Sequence, residues 1–188
     1  ACVATWKLGA TPLPISAKLP RLERLAIIEL AKPKLLVGTS VGDVPGLATL
    51  PGGFEPDAAL SDAALPDRTA LHWKAPTSGG STGRPKIIVA KQRGVADPEA
   101  TRMRLTQLVP GPLYHNGPFM FSMQSLFAGG HIVVMSHFDA EQALDLIEQH
   151  KVQYVLMVPT MMHRIWRLGE SARARHDLSS IERIMHLG

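Results

Sequence analysis

The residues best suited to chemistry lie in one glycine-rich stretch, Thr77 to Lys86, which reads Thr-Ser-Gly-Gly-Ser-Thr-Gly-Arg-Pro-Lys. Its glycines, Gly79, Gly80 and Gly83, let the backbone turn where a Cβ would clash, and they let successive N–H groups face one concavity that suits an anion. The stretch also supplies hydroxyl and cationic side chains, namely Ser78, Ser81, Thr82, Arg84 and Lys86. Hydroxyl donors and positive charges suit phosphate oxygens, so the stretch predicts a polyphosphate-binding loop.

Two familiar phosphate-binding motifs do not fit this stretch. The nucleotide P-loop requires Lys directly after its last glycine and then Ser or Thr, but here Arg84 and Pro85 intervene and Ile87 follows Lys86. The dinucleotide fingerprint requires glycines spaced as G-x-G-x-x-G, and that spacing does not occur here. The phosphate loop must therefore be of another kind.

Residues 79–83 do fit G-x-S-x-G, the nucleophile elbow of α/β-hydrolases, with Ser81 as the nucleophile. An elbow requires a strand before the serine and a helix after it. Residues 71–75 alternate as a strand does, but residues 87–90 are β-branched and apolar, and Pro85 would interrupt a helix at once. The flanks favour a loop between two strands, and a serine hydrolase remains the weaker alternative.

The second half of the chain has the regular pattern of an α/β protein. Apolar runs that predict strands are separated by helical patterns and lie at 108–109, 131–135, 153–158 and 184–187. Helices are predicted after Asn116, after Pro159-Thr160, and from Asp139, whose capping partner would be Gln142. This alternation predicts a mostly parallel sheet with flanking helices.

The first half is less regular. A helix is predicted to end at Gly9, an extended segment follows at 11–15, and a helix from Pro20 to Pro33 precedes a strand at 34–37. Residues 42–66 read as a loop with a short helix at 57–64, and residues 99–105 as a helical turn.

Ligands of open α/β sheets bind beyond the carboxyl ends of the strands. The predicted sheet therefore has a rim whose residues are Tyr114, His115, Asn116, Ser136, His137, Pro159, Thr160, Leu187 and Gly188. His115 has a structural alternative, because a histidine that precedes an Asn helix cap can simply hydrogen-bond to the backbone. A structural alternative also exists for the apolar stripe of the following helix, because such a stripe at helical spacing usually belongs to the core. The stripe consists of Phe119, Met120, Met123 and Phe127.

Composition excludes several classes of protein. The chain has 188 residues, 45% of them hydrophobic, and no apolar run long enough to span a membrane. The single cysteine, Cys2, excludes an internal disulfide framework and favours a cytoplasmic location. No metal site is expected, because the histidines lack metal-ligand spacing.

The formal net charge is +4, and much of the basic charge falls late in the chain, at Arg164, Arg167, Arg173 and Arg175. These arginines lack the interleaved aromatic residues typical of a single-strand binder. We therefore expect no nucleic acid partner, and interpret them as a solvated face or one covered by another part of the protein.

A Ser/Gly/Lys-rich phosphate loop between two strands resembles the signature of the adenylate-forming superfamily, which includes acyl-CoA synthetases, amino-acid adenylation domains and luciferases. The match runs from Ser78 to Lys86. Residues 113–119 resemble the family's second motif, in which an aromatic residue or His stands at the mouth of the acyl pocket. Leu187-Gly188 resembles the start of the segment that packs against adenine.

The resemblance implies an ATP-dependent acid–CoA ligase whose substrates are a carboxylic acid, ATP and coenzyme A, with Mg²⁺. It implies phosphate binding by Ser78, the loop glycines, Ser81, Thr82 and Lys86, with Thr82, Lys86 and His115 in catalytic roles. Tyr114, His115, Asn116, Phe119 and Met120 would line the acid pocket. The magnesium-binding Glu and the lysine of the mobile carboxy-terminal domain would follow Gly188, so residues 1–188 would be part of the amino-terminal domain and inactive alone.

Among members of this superfamily, amino-acid-activating domains usually carry an Asp shortly after the second motif, but residues 116–121 contain no acid. The resemblance therefore favours a CoA ligase. Gly79-Gly80 followed by Arg84 most resembles the loop of ligases for fatty, sterol-like or terpenoid acids, and methionine suits an adaptable pocket for a bulky or hydrophobic acid. A homodimer is compatible with this prediction. A non-catalytic nucleotide-binding module is the other alternative.

Overall fold

A computed structural model describes residues 1–38, 44–78, 85–97 and 104–186. The chain divides into two compact units, Ala1–Val95 and Ala96–Gly188. Within the described residues, no helix has the length and apolar character needed to cross a membrane.

The first unit begins with helix α1, Cys2–Lys7, whose last turn is followed by Gly9 with φ +72°. A side chain in this left-handed conformation would be strained, so the predicted end of the helix at Gly9 is confirmed. Helix α2, Arg21–Ala31, starts directly after Pro20, and strand β1, Leu35–Val37, follows Pro33, both as predicted.

The loop region after β1 differs from the prediction in two ways. Strand β2, Ala48–Leu50, pairs in parallel with β1, with Leu36 opposite Thr49. The predicted short helix at 57–64 is wrong: the Asp57 carboxylate accepts a hydrogen bond from the Ala59 N–H at 2.9 Å, and the Ser61 hydroxyl one from the Ala63 N–H at 3.2 Å. These side chains stabilise local turns in place of a helix. The segment is also exposed, so a helix here would gain no stability from packing.

Two more strands close the first unit. Strand β3, Thr77–Ser78, pairs antiparallel with strand β4, Lys86–Ile87.

The second unit is a four-stranded parallel sheet with helices on both faces. Its strands are β5, Thr106–Val109; β6, His131–Val134; β7, Tyr154–Met157; and β8, Arg183–His186. Their order across the sheet is β6-β5-β7-β8, with all pairs parallel. The predicted class, α/β with a mostly parallel sheet, is confirmed. The predicted turn at 99–105 falls largely on 98–103, outside the described residues, and Arg104 and Leu105 are not helical.

Four helices connect and follow the strands of the second unit. They are α3, Asn116–Phe127; α4, Ala140–His150; α5, Pro159–Trp166; and α6, Glu170–Arg173. The predicted cap of α4 is confirmed, since the Asp139 carboxylate accepts a hydrogen bond from the Gln142 N–H at 2.9 Å. Helix α4 buries Ala140, Ala143, Leu144 and Ile147.

The two faces of the parallel sheet carry different helices. On one face, Leu108 and Val155 pack with residues of α4, and Met161 and Ile165 of α5 lie against the same core. On the other face, α3 packs over the sheet: the rings of Phe121 and Tyr154 are 5.9 Å apart. This separation of α3 from α4 and α5 determines where the rim opens.

Candidate functional site

The predicted phosphate loop lies at the tip of a longer antiparallel hairpin than its two short strands suggest. Beyond the β3–β4 pair, Ile88 N–H donates to Pro76 O at 2.8 Å and Ala90 N–H to Lys74 O at 3.0 Å. Further back, Gly94 N–H donates to Ala70 O at 2.8 Å in the same register. The prediction that the loop joins two strands is therefore confirmed.

Ser78 and Lys86 lie opposite each other at the end of this hairpin. Directly opposed residues of an antiparallel pair have Cα atoms about 5 Å apart and side chains on the same face. Ser78 is half-buried and Lys86 is exposed. The hairpin thus presents a hydroxyl and an ammonium side by side where the loop leaves and rejoins it.

The other predicted loop residues, Gly79, Gly80, Ser81, Thr82 and Gly83, lie outside the described residues. Their flanks nevertheless bear on the hydrolase alternative. Lys86 is already in a strand only five residues after Ser81, where a nucleophile elbow requires a helix. This geometry disfavours an elbow.

Side chains of the first unit hold the base of the hairpin. The Trp6 indole N–H donates to the Trp73 carbonyl at 2.6 Å, and the Thr11 hydroxyl donates to the His72 carbonyl at 2.8 Å. The His72 ring shares a 2.8 Å hydrogen bond with the Ala90 carbonyl on the opposite side of the hairpin. His72 therefore has a structural partner, and hydrogen bonds anchor the chain on both sides of the loop.

Lys74 is a buried cation in the same hairpin that the motif analysis did not detect. Only 7% of the residue is exposed, and its ammonium lies 4.1 Å from the centre of the Trp73 ring. Burial lowers the pKa of Lys74, because desolvation disfavours the charged form. Alternation predicts a strand here but cannot show which lysine of a hairpin is buried.

In the second unit, the order of the strands locates the opening of the rim. The connection after β5 runs through α3 on one face, whereas the connection after β7 begins with α5 on the other. In open α/β sheets a crevice forms where adjacent strands send their connections to opposite faces. The crevice therefore lies between the ends of β5 and β7, where His115 and Pro159 begin the two helices.

Gly111 lies between these two helix starts. A Cβ at Gly111 would be 3.0 Å from Pro118 Cγ and 3.9 Å from Met161 Cε. Helix N-termini favour negative charge, so the start of α3 beside the start of α5 suits a carboxylate or a phosphate. Gly111 was not among the predicted residues, although a glycine directly after a buried strand is a recognisable signal.

His115 is itself the N-cap of α3, with extended backbone at φ −85° and ψ 143°. The prediction that Asn116 caps the helix is wrong by one residue, because Asn116 is already helical. The His115 side chain is exposed and makes no cap hydrogen bond; its ring centre lies 4.6 Å from that of Tyr114. The structural alternative, a bond from the His115 ring to the helix backbone, is therefore not found.

The remaining predicted rim residues differ in exposure. Phe119 is 2% exposed and Met120 is half-buried. Ser136 and His137, which follow β6, are exposed and hydrogen-bonded to each other at 3.1 Å. Leu187 and Gly188 lie outside the described residues.

A cavity of about 730 Å³ in the first unit is lined by α1, α2 and residues 10–17, and its described lining contains no predicted site residue. Within the described ranges, no three His, Cys, Asp or Glu side chains are grouped to hold a metal ion.

Curated relatives include CoA ligases. The chain is 32% identical over 156 residues to 4-coumarate–CoA ligase 5 of Oryza sativa subsp. japonica, covering 74% of this chain and 27% of that protein. It is 27% identical over 198 residues to 2-succinylbenzoate–CoA ligase of Bacillus velezensis, covering 95% of this chain and 39% of that protein. The chain thus spans well under half the length of these relatives.

Solved structures share the fold. The o-succinylbenzoate CoA synthetase MenE from Bacillus subtilis superposes with a TM-score of 0.77 at 18% identity, covering 100% of this chain and 51% of that one. The amide bond synthetase McbA from Marinactinospora thermotolerans superposes with a TM-score of 0.74 at 20% identity. The match covers 98% of this chain and 42% of that one. Residues 1–188 match the family described as AMP-binding enzyme. This chain therefore belongs to the AMP-binding enzyme family, the adenylate-forming enzymes that its phosphate loop resembles.

Proposed function

We propose that the protein to which this chain belongs is an AMP-forming acid–CoA ligase. The observation that carries the proposal is the Ser78–Lys86 pair, which closes a hairpin around a loop of the family's phosphate-binding sequence. Two curated relatives, 4-coumarate–CoA ligase 5 and 2-succinylbenzoate–CoA ligase, support the same reaction class by their names. In this proposal residues 1–188 form part of a larger amino-terminal domain, and the mobile carboxy-terminal domain lies elsewhere in the protein.

In the first step, an oxygen of the substrate carboxylate attacks the α-phosphorus of ATP. The new O–P bond forms as the bond to the β-phosphate oxygen breaks, and pyrophosphate leaves with the electron pair. Ser78, the loop amides, Ser81, Thr82 and Lys86 would bind the β- and γ-phosphates and stabilise the charge that develops on pyrophosphate. Their contribution is electrostatic and positional, as in other phosphoryl-transfer sites.

In the second step, the thiolate of coenzyme A attacks the carbonyl carbon of the acyl-adenylate. The C–S bond forms, the C–O bond to AMP breaks and AMP leaves with the electron pair; the proton that the thiol released on becoming a thiolate goes to solvent. His115, exposed and without a cap hydrogen bond, would contact the acid at the mouth of its pocket. Tyr114, Asn116, Phe119 and Met120 would line that pocket, and Leu187 and Gly188 would contact adenine.

Mg²⁺ is the expected companion of ATP in this chemistry. The described residues do not by themselves form a site for it, because no three carboxylates or other metal ligands are grouped there. Mg²⁺ is commonly held by substrate phosphates and one or two carboxylates. The described residues therefore assign no step of the reaction to the ion.

We propose a hydrophobic acid, whether fatty, sterol-like or terpenoid, as the substrate. Phe119, Met120 and Met123 follow one another along the first turns of α3, and methionine packs adaptably against bulky apolar groups. The relatives' names include a coumarate ligase and a medium/long-chain fatty acid ligase, so the substrate panel must span both types.

The test is carboxylate-dependent ATP–pyrophosphate exchange by the full-length protein with fatty, aryl, sterol and terpenoid acids. Exchange with one acid class, followed by acyl-CoA formation when coenzyme A is added, is the expected result. Lys86→Ala should weaken the exchange, whereas Lys91→Ala, an exposed lysine further along the same hairpin strand, should not. ATP binding without exchange for any acid would instead indicate a non-catalytic nucleotide-binding module.

Two further properties belong to the same proposal. We propose a cytoplasmic location for the protein, because residues 1–188 contain a single cysteine, Cys2, which suits a reducing compartment. We propose a homodimer as its assembly, which light scattering on the full-length protein would test; a monomeric mass would contradict it.

A further inference from the structure

Helix α5 has two unlike faces, and its outer face is unexplained by the proposed activity. Met161 and Ile165 pack against the core of the second unit. On the other side, Trp166 is 69% exposed and Met162 is 40% exposed. Burying an exposed tryptophan is strongly favourable, and its ring suits a boundary between apolar and polar surroundings.

The same stretch of chain is rich in arginine. Between residues 158 and 175 the chain carries four arginines and one acidic residue, Glu170. Arg175 forms an ion pair with Glu141 at 3.0 Å. Within the part of the chain that the structure describes, Arg164, Arg167 and Arg173 form no ion pair.

Aromatic rings hold two of these arginines in place. The Arg173 guanidinium lies 4.5 Å from the centre of the Trp166 ring and donates a hydrogen bond to the Trp166 carbonyl. The Arg164 guanidinium lies 5.0 Å from the centre of the Phe138 ring, with a 3.4 Å hydrogen bond to the Phe138 carbonyl. A guanidinium stacked on a ring keeps most of its edge N–H donors available, and they match phosphate oxygens well. Because the arginines are already ordered, they lose little entropy on binding.

We infer that Arg164, Trp166, Arg167 and Arg173, together called the α5 patch, dock the protein on an anionic lipid bilayer. The arginines would contact lipid phosphates, while Trp166 and Met162 would enter the headgroup boundary. Basic side chains next to exposed apolar ones are typical of surface-bound amphipathic helices, and here the Arg173 guanidinium stacks on Trp166 itself. A nucleic acid is the poorer fit, because single-strand binding requires several aromatic platforms and the patch exposes one.

The expected gain in vesicle binding follows from the three arginines of the α5 patch. A basic residue near an anionic membrane surface strengthens binding about fivefold, so three together should contribute about 100-fold at moderate ionic strength. The attraction should weaken as salt is added, because counterions screen it.

The test uses the full-length protein and co-sedimentation with vesicles of phosphatidylcholine, alone or with about one-third phosphatidylglycerol, a composition that supplies the negative surface potential. We expect binding to the mixed vesicles only. The variant Arg164→Gln/Arg167→Gln/Arg173→Gln should lose most of it, and Trp166→Ala should weaken it independently. The matched control is Lys18→Gln/Arg21→Gln/Lys34→Gln, which removes the same charge from exposed positions in the first unit and should bind nearly as wild type.

Far-UV circular dichroism and ATP–pyrophosphate exchange should be the same for all variants, which separates loss of docking from unfolding. If the patch variant and the control variant lost vesicle binding equally, the inference would be overturned, because binding would then depend only on net charge. Absence of binding to mixed vesicles would also overturn it. So would a patch variant that loses oligonucleotide or coenzyme A binding while it retains vesicle binding.

Discussion

Lys86 lies directly opposite Ser78 in the β3–β4 pair, so the two residues that flank the phosphate loop share one face of the hairpin. Backbone hydrogen bonds continue this pairing from Ile88 to Pro76 and from Ala90 to Lys74, and Gly94 N–H donates to Ala70 O further back. If the loop binds phosphate as we propose, the two side chains should therefore act on the same ligand.

If both bind the leaving pyrophosphate, their substitutions should be coupled. Lys86→Ala should lower the rate of ATP–pyrophosphate exchange about 100-fold, the usual effect of losing one group that stabilises developing charge. Ser78→Ala should have a smaller effect, and the double variant should lose less than the product of the two, because neighbouring residues with a shared partner are non-additive. Kinetics of the four full-length proteins completes this cycle; strict additivity would show that the residues act on different ligands.

The position of the crevice between β5 and β7 distinguishes two exposed histidines. His115→Ala should lower kcat/KM for the acid about tenfold or more, equivalent to at least 1.4 kcal/mol of transition-state stabilisation. His137→Ala should change it less than twofold, since His137 follows β6, outside the crevice. Steady-state kinetics with the acid varied at saturating ATP measures both. A larger effect at His137 would place the acid elsewhere on the rim.

Gly129 and Gly130 are adjacent after α3, but replacing each by alanine should lower the free energy of unfolding by different amounts. A Cβ at Gly130 would lie 2.7 Å from the Leu105 carbonyl oxygen and 2.9 Å from the Ser125 carbonyl oxygen, which are backbone atoms with little freedom to move. Gly130→Ala should therefore lower the free energy of unfolding by about 3 kcal/mol. Gly129, at φ +76°, has space around it, so Gly129→Ala should cost about 1 kcal/mol, from backbone strain alone.

Urea unfolding of the full-length variants measures both values. Gly130→Ala/Ser125→Ala is the control: it removes the hydroxyl contact at 2.5 Å but leaves both carbonyl contacts, so stability should not return. Recovery of stability in this double variant would show that the serine side chain, and not the backbone, limits the space.

Lys74 should make the free energy of unfolding depend on pH in the alkaline range. Its pKa in the folded state is below the ordinary 10.5 because of burial. Between the folded pKa and 10.5 the unfolded state binds more protons, so this residue makes the free energy of unfolding rise with pH across that window. Below the folded pKa, Lys74 is protonated in both states and contributes no slope.

Replacing Lys74 by Met removes this proton uptake. Urea unfolding at several pH values from 8 to about 10.5, the ordinary lysine pKa, should therefore give a smaller upward slope for Lys74→Met than for wild type. Lys91→Met, at an exposed position of the same hairpin, should keep the wild-type slope. Identical slopes for wild type and Lys74→Met would contradict the effect of burial.

Much of the second unit could be predicted from the sequence, because its elements are determined locally. Apolar runs and helical spacing located all four parallel strands and helices α3, α4 and α5, and the Asp139 cap was identified from its side chain and Gln142 alone. Local patterns failed where side chains compete with the helix: Asp57 and Ser61 form turns instead. They also missed β2, since three residues are too few to show a period.

The phosphate loop shows the limit of a motif. Its order of Ser, Gly, Thr, Pro and Lys was enough to predict the family to which the chain belongs, because a motif is local in the sequence. Strand order is different, since it depends on contacts between residues far apart in the chain. Only the tertiary structure decided that β7 lies beside β5, that the crevice opens at Gly111, and that Lys74 is buried while Lys86 is exposed.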